Sequence, residues 1–350
     1  MSADEAYGLA CQGSALLWRG DFQNARQLLI ALASRNDHRG RKPSKGAAGD
    51  GSVALKSTVE GFNLHRQAQS QRARTLGMLL VELDANYSIA LRRAPDIRQA
   101  CNEAYGPQNE PSVAALRELL GVIGAHEWRA IGIDIPAIGG RIHPHYGVFA
   151  PIRSEYVDLI ARAPLPALPS TSGVAFDIGT GTGVLAALLA RRGMQRVIAT
   201  DLDPRALACA RENVERLGLQ KQVEVVRADL FPGGRAALVA CNPPWIPARP
   251  SSPLEHGIYD PDSRMLHGFI AGLAQHLMPG GEGWLILSDF AEHLGLRQRS
   301  DLHAAFDAAG LRVVDRSDVR PSHPRAKDTS DPLHAARAAE VTSLWRLAAR

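Results

Sequence analysis

Apolar positions recur at helical spacing through the first third of the chain. Ala15, Leu16, Phe22, Ala25, Leu28 and Leu29 share one helical face, and Asp21 stands where a helix start needs a cap. The spacing therefore predicts a helix to about Ser34. Residues 62–76, 94–104 and 113–126 read as further helices, and 78–83 as a short strand. Residues 35–52 are basic, rich in Gly, Lys, Ser and Asp, and lack any apolar anchor. That composition predicts a mobile loop, either a solvated insertion or a basic flap over an anionic substrate. Between 131 and 151, Gly and Pro punctuate β-branched residues, the pattern of a small hairpin. The organisation expected is a mainly helical domain over 1–130, a hairpin linker over 131–152 and a second domain over 153–350.

From Val174 the pattern becomes strict alternation. Residues 174–178, 196–200, 223–227, 236–241 and 283–287 are apolar runs of strand length. Helical stretches at 184–192, 204–217 and 263–277 lie between them, and another spans 297–309. Such alternation predicts an α/β fold, a parallel sheet with helices on both faces and ligands at the carboxyl ends of its strands. Two more strands, 311–315 and 341–347, have no helical signal between them, only the Pro/His-rich stretch 320–332. They are expected to pair antiparallel, since a parallel return needs a crossover.

The chain has 350 residues, 45% hydrophobic and 22% charged, as in soluble globular proteins. No apolar run reaches a membrane span, and Asp4 and Glu5 stand where an export signal would be basic. The four cysteines form no Cys-x-x-Cys pair, which fits a reducing cytoplasm. His143-Pro144-His145 lacks a third ligand at a telling spacing, so no metal site is expected. The net charge of +4, carried mostly by Arg, is compatible with an RNA or ribosome-associated substrate and equally with an ordinary arginine-rich enzyme.

Two motifs carry chemistry. Asp177-Ile178-Gly179-Thr180-Gly181-Thr182-Gly183 is a strand-to-helix glycine turn with a carboxylate at its mouth. The third glycine comes one residue early for a dinucleotide fingerprint, and Asp177 would repel a pyrophosphate but attract an ammonium. Asp201 closes the next strand, where a carboxylate can accept from both ribose hydroxyls. Asp203, before Pro204, is the competing candidate and reads better as a helix cap. Leu202 is then placed to lie against an adenine, with Asp229 to receive its amino group and Leu230 beside it. About sixty residues after the glycine turn comes Asn242-Pro243-Pro244-Trp245. This loop offers an amide oxygen, a proline-fixed backbone carbonyl and an aromatic face, a set suited to a flat NH₂ group.

In this order, the motifs resemble the class I S-adenosylmethionine-dependent methyltransferases from about residue 148 onward. The resemblance implies S-adenosylmethionine as cofactor, bound by Asp177, Gly179, Thr180, Gly181, Gly183, Asp201, Leu202, Asp229, Leu230 and Asn242. It also implies a seven-stranded Rossmann-like sheet with an antiparallel last strand. Catalysis would fall to Asn242, Pro243, Pro244 and Trp245. Asn-Pro-Pro-aromatic loops occur in adenine-N6 and guanine-N2 nucleic-acid methyltransferases and in the release-factor glutamine methyltransferases. The continuation Trp245-Ile246-Pro247, the stretches Tyr259-Asp260-Pro261-Asp262 and Leu277-Met278-Pro279-Gly280-Gly281, and the lead-in from Val148 to Glu155 look more like the glutamine group. Trp replaces that group's usual Tyr, and the lead-in lacks its Pro-Arg-Pro-x-x-Glu form. The expectation is a cytoplasmic N-methyltransferase acting on a macromolecule, a protein such as a translation factor or else RNA or DNA. The rival from another class is a module that binds the cofactor or a partner without transferring.

Overall fold

The computed structural model describes residues 1–39, 58–152, 155–167, 173–321 and 328–350. Residues 40–52 of the expected loop, and Arg153 and Ser154 of the lead-in, lie outside them. The chain divides into two compact units, Met1–Glu127 and Trp128–Arg350.

The first unit opens with α1 (Ala3–Cys11), β1 (Leu16–Leu17), α2 (Phe22–Arg39) and α3 (Thr58–Gly77). It continues through β2 (Leu79–Leu83), α4 (Arg98–Tyr105), β3 (Ser112–Ala115) and the start of α5 (Leu116–Ile131). Asp21 does cap α2, its Oδ1 accepting from the Gln23 and Asn24 amides at 2.9 and 3.3 Å. The helix runs past Ser34 into the stretch read as loop. Helix α4 begins at Arg98 rather than Ala94, because Pro95 keeps its predecessor out of the helical region. Residues 113–115 are strand, not helix. They pair antiparallel with β2, Leu80 opposite Ala115 and Glu82 opposite Val113. There an open sheet edge overrides a helical spacing that begins in earnest only at Leu116.

In the second unit, β4 (Ile133–Ile135) and β5 (Gly140–Ile142) form the small hairpin, and α6 (Glu155–Arg162) follows. Then come β6 (Val174–Ile178), α7 (Val184–Arg191), β7 (Arg196–Asp201), α8 (Pro204–Arg216), β8 (Val223–Arg227) and β9 (Ala236–Cys241). The remaining elements are α9 (Arg264–His276), β10 (Leu277–Ser288), α10 (Phe290–His293), α11 (Arg299–Ala308), β11 (Leu311–Val319), α12 (His334–Ala339) and β12 (Thr342–Ala349). Seven strands form one sheet in the order β11-β12-β10-β9-β6-β7-β8. Strands β6 to β10 run parallel, and β12 is antiparallel to both β10 and β11. The α/β architecture and antiparallel last strand are those expected. The short helix α12 in the final connection is a correction, six residues without a buried side chain.

The sheet buries both faces, so β9 is apolar throughout, Ala236 to Cys241. Alternate residues of β10 divide between two cores. Trp284 and Ile286 join Ala175, the whole of α7 from Val184 to Ala190, and Ile160 of α6. Leu285 and Leu287 join Phe176, Ile178, Phe269 of α9 and Phe306 of α11. Strand β10 starts at Leu277, earlier than its apolar run, because Leu277 pairs with Ala236 before the register shifts ahead of Glu282.

Glu282 is buried and accepts a two-pronged bond from Arg346, both contacts 2.8 Å, while its Oε2 also takes the Trp284 indole N–H at 2.9 Å. Replacing Glu282 by Ala strands the Trp284 indole N–H and leaves the Arg346 guanidinium with the more distant Asp315 carboxylate at 3.7 Å. It is expected to destabilise the second unit by about 3–5 kcal/mol. Replacing Glu282 and Arg346 together by Met is expected to recover most of that loss. Urea unfolding of the three variants measures it; equal losses in single and double variants would refute the pairing argument.

Candidate active site

The strand order reverses between β6 and β9, the place where ligands enter sheets of this kind. Asp177 pairs in register with Ala240 and Ile178 with Cys241, so the glycine turn and Asn242 leave the sheet side by side.

Gly179, Gly181 and Gly183 all take left-handed backbone angles. At Gly183 a Cβ would press on the Ala210 backbone at 3.3 Å, so a side chain there would wedge α7 away from α8. Asp177 is only 1% exposed and turned into the turn it precedes. Its Oδ2 accepts from the Thr180 hydroxyl at 2.6 Å and the Ala186 amide at 3.0 Å, bracing the turn and the first turn of α7. Its Oδ1 is buried with no hydrogen-bond partner. Burial pushes this carboxyl up to about 6, against the two hydrogen bonds, with the Asp201 charge adding to the rise. The Thr180 amide in turn donates to the Thr200 carbonyl at 2.8 Å, tying the turn to β7.

Asp201 ends β7. Its Oδ2 accepts from the Gly181 amide at 3.0 Å and its Oδ1 from the Asp203 amide at 3.0 Å. Burial raises its pKa and these backbone bonds lower it. Asp203 is the cap of α8, its Oδ1 accepting from the Arg205 amide at 2.9 Å with Pro204 in the first turn. Leu202 between them is 45% exposed, an apolar surface at the strand end. Leu230 sits in left-handed backbone, and its carbonyl accepts from the Thr200 hydroxyl at 2.6 Å.

Asp229 is exposed and already partnered: Arg264 at the head of α9 donates to its Oδ2 at 2.6 Å, leaving Oδ1 for another donor. The next residue, Met265, lies with its Cε directly over Gly179. Both reach across from a helix start that Asp260 caps, its buried Oδ2 accepting from the Met265 and Leu266 amides at 2.9 and 3.2 Å. Asp262 and Ser263 take left-handed angles there. Nothing in the sequence marked Arg264 or Met265, since both read as first-turn residues of a helix.

Asn242 is half-buried, and its Oδ1 accepts from the Trp245 indole N–H at 2.9 Å. Trp245 is half-buried and packs against both cores of the sheet. Its carbonyl faces Arg297 Nη1 at 3.5 Å, and Arg297 Nη2 donates to the Ser288 carbonyl at the end of β10 at 3.0 Å. Burial lowers the pKa of Arg297. This arginine had no sequence signal.

Residues 139–310 match the family model of the methyltransferase small domain. Curated relatives include a release factor glutamine methyltransferase of Cereibacter sphaeroides, 35% identical over 162 residues that make up 42% of this chain and 56% of the relative. A ribosomal protein L11 methyltransferase of Pelotomaculum thermopropionicum is 37% identical over 149 residues, 42% of this chain and 40% of the relative. A second release factor glutamine methyltransferase, from Deinococcus radiodurans, is 37% identical over 156 residues, 41% and 53% of the two chains. The chain spans about half the length of the curated relatives it matches. The family uses S-adenosylmethionine.

The small-domain residues fit that group. The unpartnered Oδ1 of Asp177 is an acceptor that an ammonium would fill. Asp201 offers carboxylate lone pairs beside the apolar Leu202. No cluster of His, Cys, Asp and Glu suited to a metal occurs among the described residues. None of the described helices is long and apolar enough to cross a membrane.

Two outcomes separate the carboxylates. Asp201→Ala is expected to weaken S-adenosylhomocysteine binding by one to two orders of magnitude, whereas Asp203→Ala costs about 1 kcal/mol of stability and leaves affinity alone. Calorimetric titration with thermal unfolding checks both; weakened binding in Asp203→Ala alone reverses the assignment. The raised pKa of Asp177 predicts a pH effect with a definite sign. Its contribution to stability is full below the ordinary carboxylate range and is lost as pH rises through about 6. An ammonium needs the ionised form, so affinity for S-adenosylhomocysteine is expected to rise through the same range. Titrations at several pH values should show that rise in the native protein and a smaller one in Asp177→Asn, where the raised carboxyl of Asp201 still titrates.

Proposed function

We propose that this chain is an S-adenosylmethionine-dependent N-methyltransferase whose acceptor is a planar nitrogen of a macromolecule, a protein glutamine. The observation that carries the reading is the register of β6 on β9. It sets the amide of Asn242 beside a glycine turn whose preceding carboxylate, Asp177, is buried with Oδ1 lacking a donor.

The roles follow from chemistry. S-adenosylmethionine, when bound, supplies an electrophilic methyl group on a sulfonium. Asp177 Oδ1 takes the ammonium, the amides of the glycine turn line the approach, and Asp201 takes the ribose hydroxyls with Leu202 against the base. Asp229 keeps one oxygen for the adenine amino group, and Leu230 borders it. At the acceptor end, a carboxamide nitrogen is a poor nucleophile because its lone pair is delocalised. Asn242 Oδ1 and the Pro243 carbonyl accept its two hydrogens and fix its plane, so the lone pair points along the line of attack. Pro243 and Pro244 remove two backbone freedoms from the loop, so that geometry is fixed before the acceptor arrives. No strong base is required, because the nitrogen proton becomes acidic as the new bond forms.

Glutamine is preferred on the Asn-Pro-Pro-Trp continuation and on the release factor glutamine methyltransferases among the relatives. Incubation with labelled cofactor and a purified bacterial release factor tests it directly. Label in an RNA or DNA fraction would move the acceptor to a base. Retained cofactor affinity with no transfer to any cell fraction would leave a binding module. Asn242→Ala is expected to change S-adenosylhomocysteine affinity less than about threefold. Single-turnover transfer is expected to slow by roughly 10²-fold or more, since one of two orienting acceptors is lost. Wild-type transfer by Asn242→Ala would remove the main support for this function.

A further inference from the structure

A carboxamide can orient an incoming NH₂ only if its own oxygen points the right way. Nothing in an asparagine side chain guarantees this, because rotation about the last bond exchanges an acceptor for a donor. Here one group settles the orientation. The Trp245 indole N–H lies 2.9 Å from Asn242 Oδ1. An indole nitrogen donates and never accepts, so it tolerates the oxygen end of the amide and repels the NH₂ end.

The indole is itself held. Its ring is wedged between the two cores of the sheet, against a cluster built on α7 on one side and one built on α9 and α11 on the other. Its backbone carbonyl faces Arg297, whose second nitrogen donates to the Ser288 carbonyl at the end of β10. On the following stretch, the Asp260 amide donates to the Ile246 carbonyl at 2.9 Å, and Ile246 bridges Tyr259.

We propose that Trp245 is a positioning residue that sets the amide orientation of Asn242 through its indole N–H, with Arg297 anchoring the loop that carries it. The proposal rests on the reading that Asn242 orients the acceptor nitrogen. An amide oxygen has two lone pairs, so the indole occupies one and leaves the other in the amide plane for the acceptor. A phenol at this position could donate or accept and would leave both amide orientations open. Trp therefore confers an orientation that Tyr does not enforce.

The test has two arms on the full-length protein. The first needs no acceptor. The Trp245 indole N–H resonance, assigned by its disappearance in Trp245→Phe, is expected to lie downfield and exchange slowly. In Asn242→Ala it is expected to move upfield and exchange faster. A resonance unmoved by Asn242→Ala overturns the proposal.

The second arm is a double-mutant cycle in single-turnover methyl transfer to a purified bacterial release factor. Trp245→Phe is expected to lower kcat about tenfold with little change in KM, and Trp245→Tyr to fall short of rescue. In the Asn242→Ala background the Trp245→Phe change is expected to cost nothing further. Additive losses, or a loss confined to KM, identify a stacking platform and overturn the proposal. A wild-type enzyme that leaves the release factor unmethylated overturns the glutamine reading instead, and the resonance then decides this proposal alone.

Discussion

The parallel pairing of β6 with β9 places two motifs about sixty residues apart at the same end of the same pair of strands. The side-by-side placing of Asp177 and Asn242 depends on that register. A slip of one residue would turn Asp177 from the α7 side of the sheet to the α9 side and carry Asn242 away from the glycine turn. The register is held by burial on both faces, since β6 and β9 have almost no solvated side chain to choose the other orientation. Asp177 is the exception within β6, a carboxylate kept inside at the cost of a pKa raised to about 6. Its bonds to Thr180 and to Ala186 partly offset that cost, and they also fix the turn that any ligand must meet.

Much of this arrangement was legible because each signal had a local cause. Asp203 followed by Pro204 states a helix start, and the structure has Asp203 on the Arg205 amide. The left-handed angles of the three glycines are the reason no other residue type would serve at that turn. The antiparallel last strand followed from the missing crossover, even though α12 occupies part of the connection.

What was not legible depended on partners distant in sequence. Residues 113–115 carry a helical spacing, and only the free edge of β2 makes them a strand. Trp245 read as an aromatic face for a flat group, and nothing near it in sequence shows that it is half-buried. Its burial comes from α9 and α11 packing over one face of the sheet and α7 over the other. Arg297 lies more than fifty residues from the loop it holds, and no local pattern distinguishes it from the arginines around it. Arg264 and Met265 belong to the same class, first-turn helical residues whose targets, Asp229 and Gly179, lie just past the ends of other strands.

These distant contacts share a direction. The stretch after Asn242 returns through the Ile246–Tyr259 bridge to Asp260, and Asp260 caps the helix that sends Arg264 and Met265 over the glycine turn. One continuous segment thus carries Trp245, which touches Asn242, and Met265, which lies over the glycine turn. Its left-handed residues Asp262 and Ser263 are strained positions that persist because the surrounding bonds over-determine them. The loop at Trp245 and the helix start are thus joined by an unbroken run of backbone and side-chain hydrogen bonds through Asp260. The rigidity of this segment matters more than the strength of any one of its contacts. Alignment of a weak nucleophile depends on fractions of an ångström at the reacting atoms, whereas binding tolerates more.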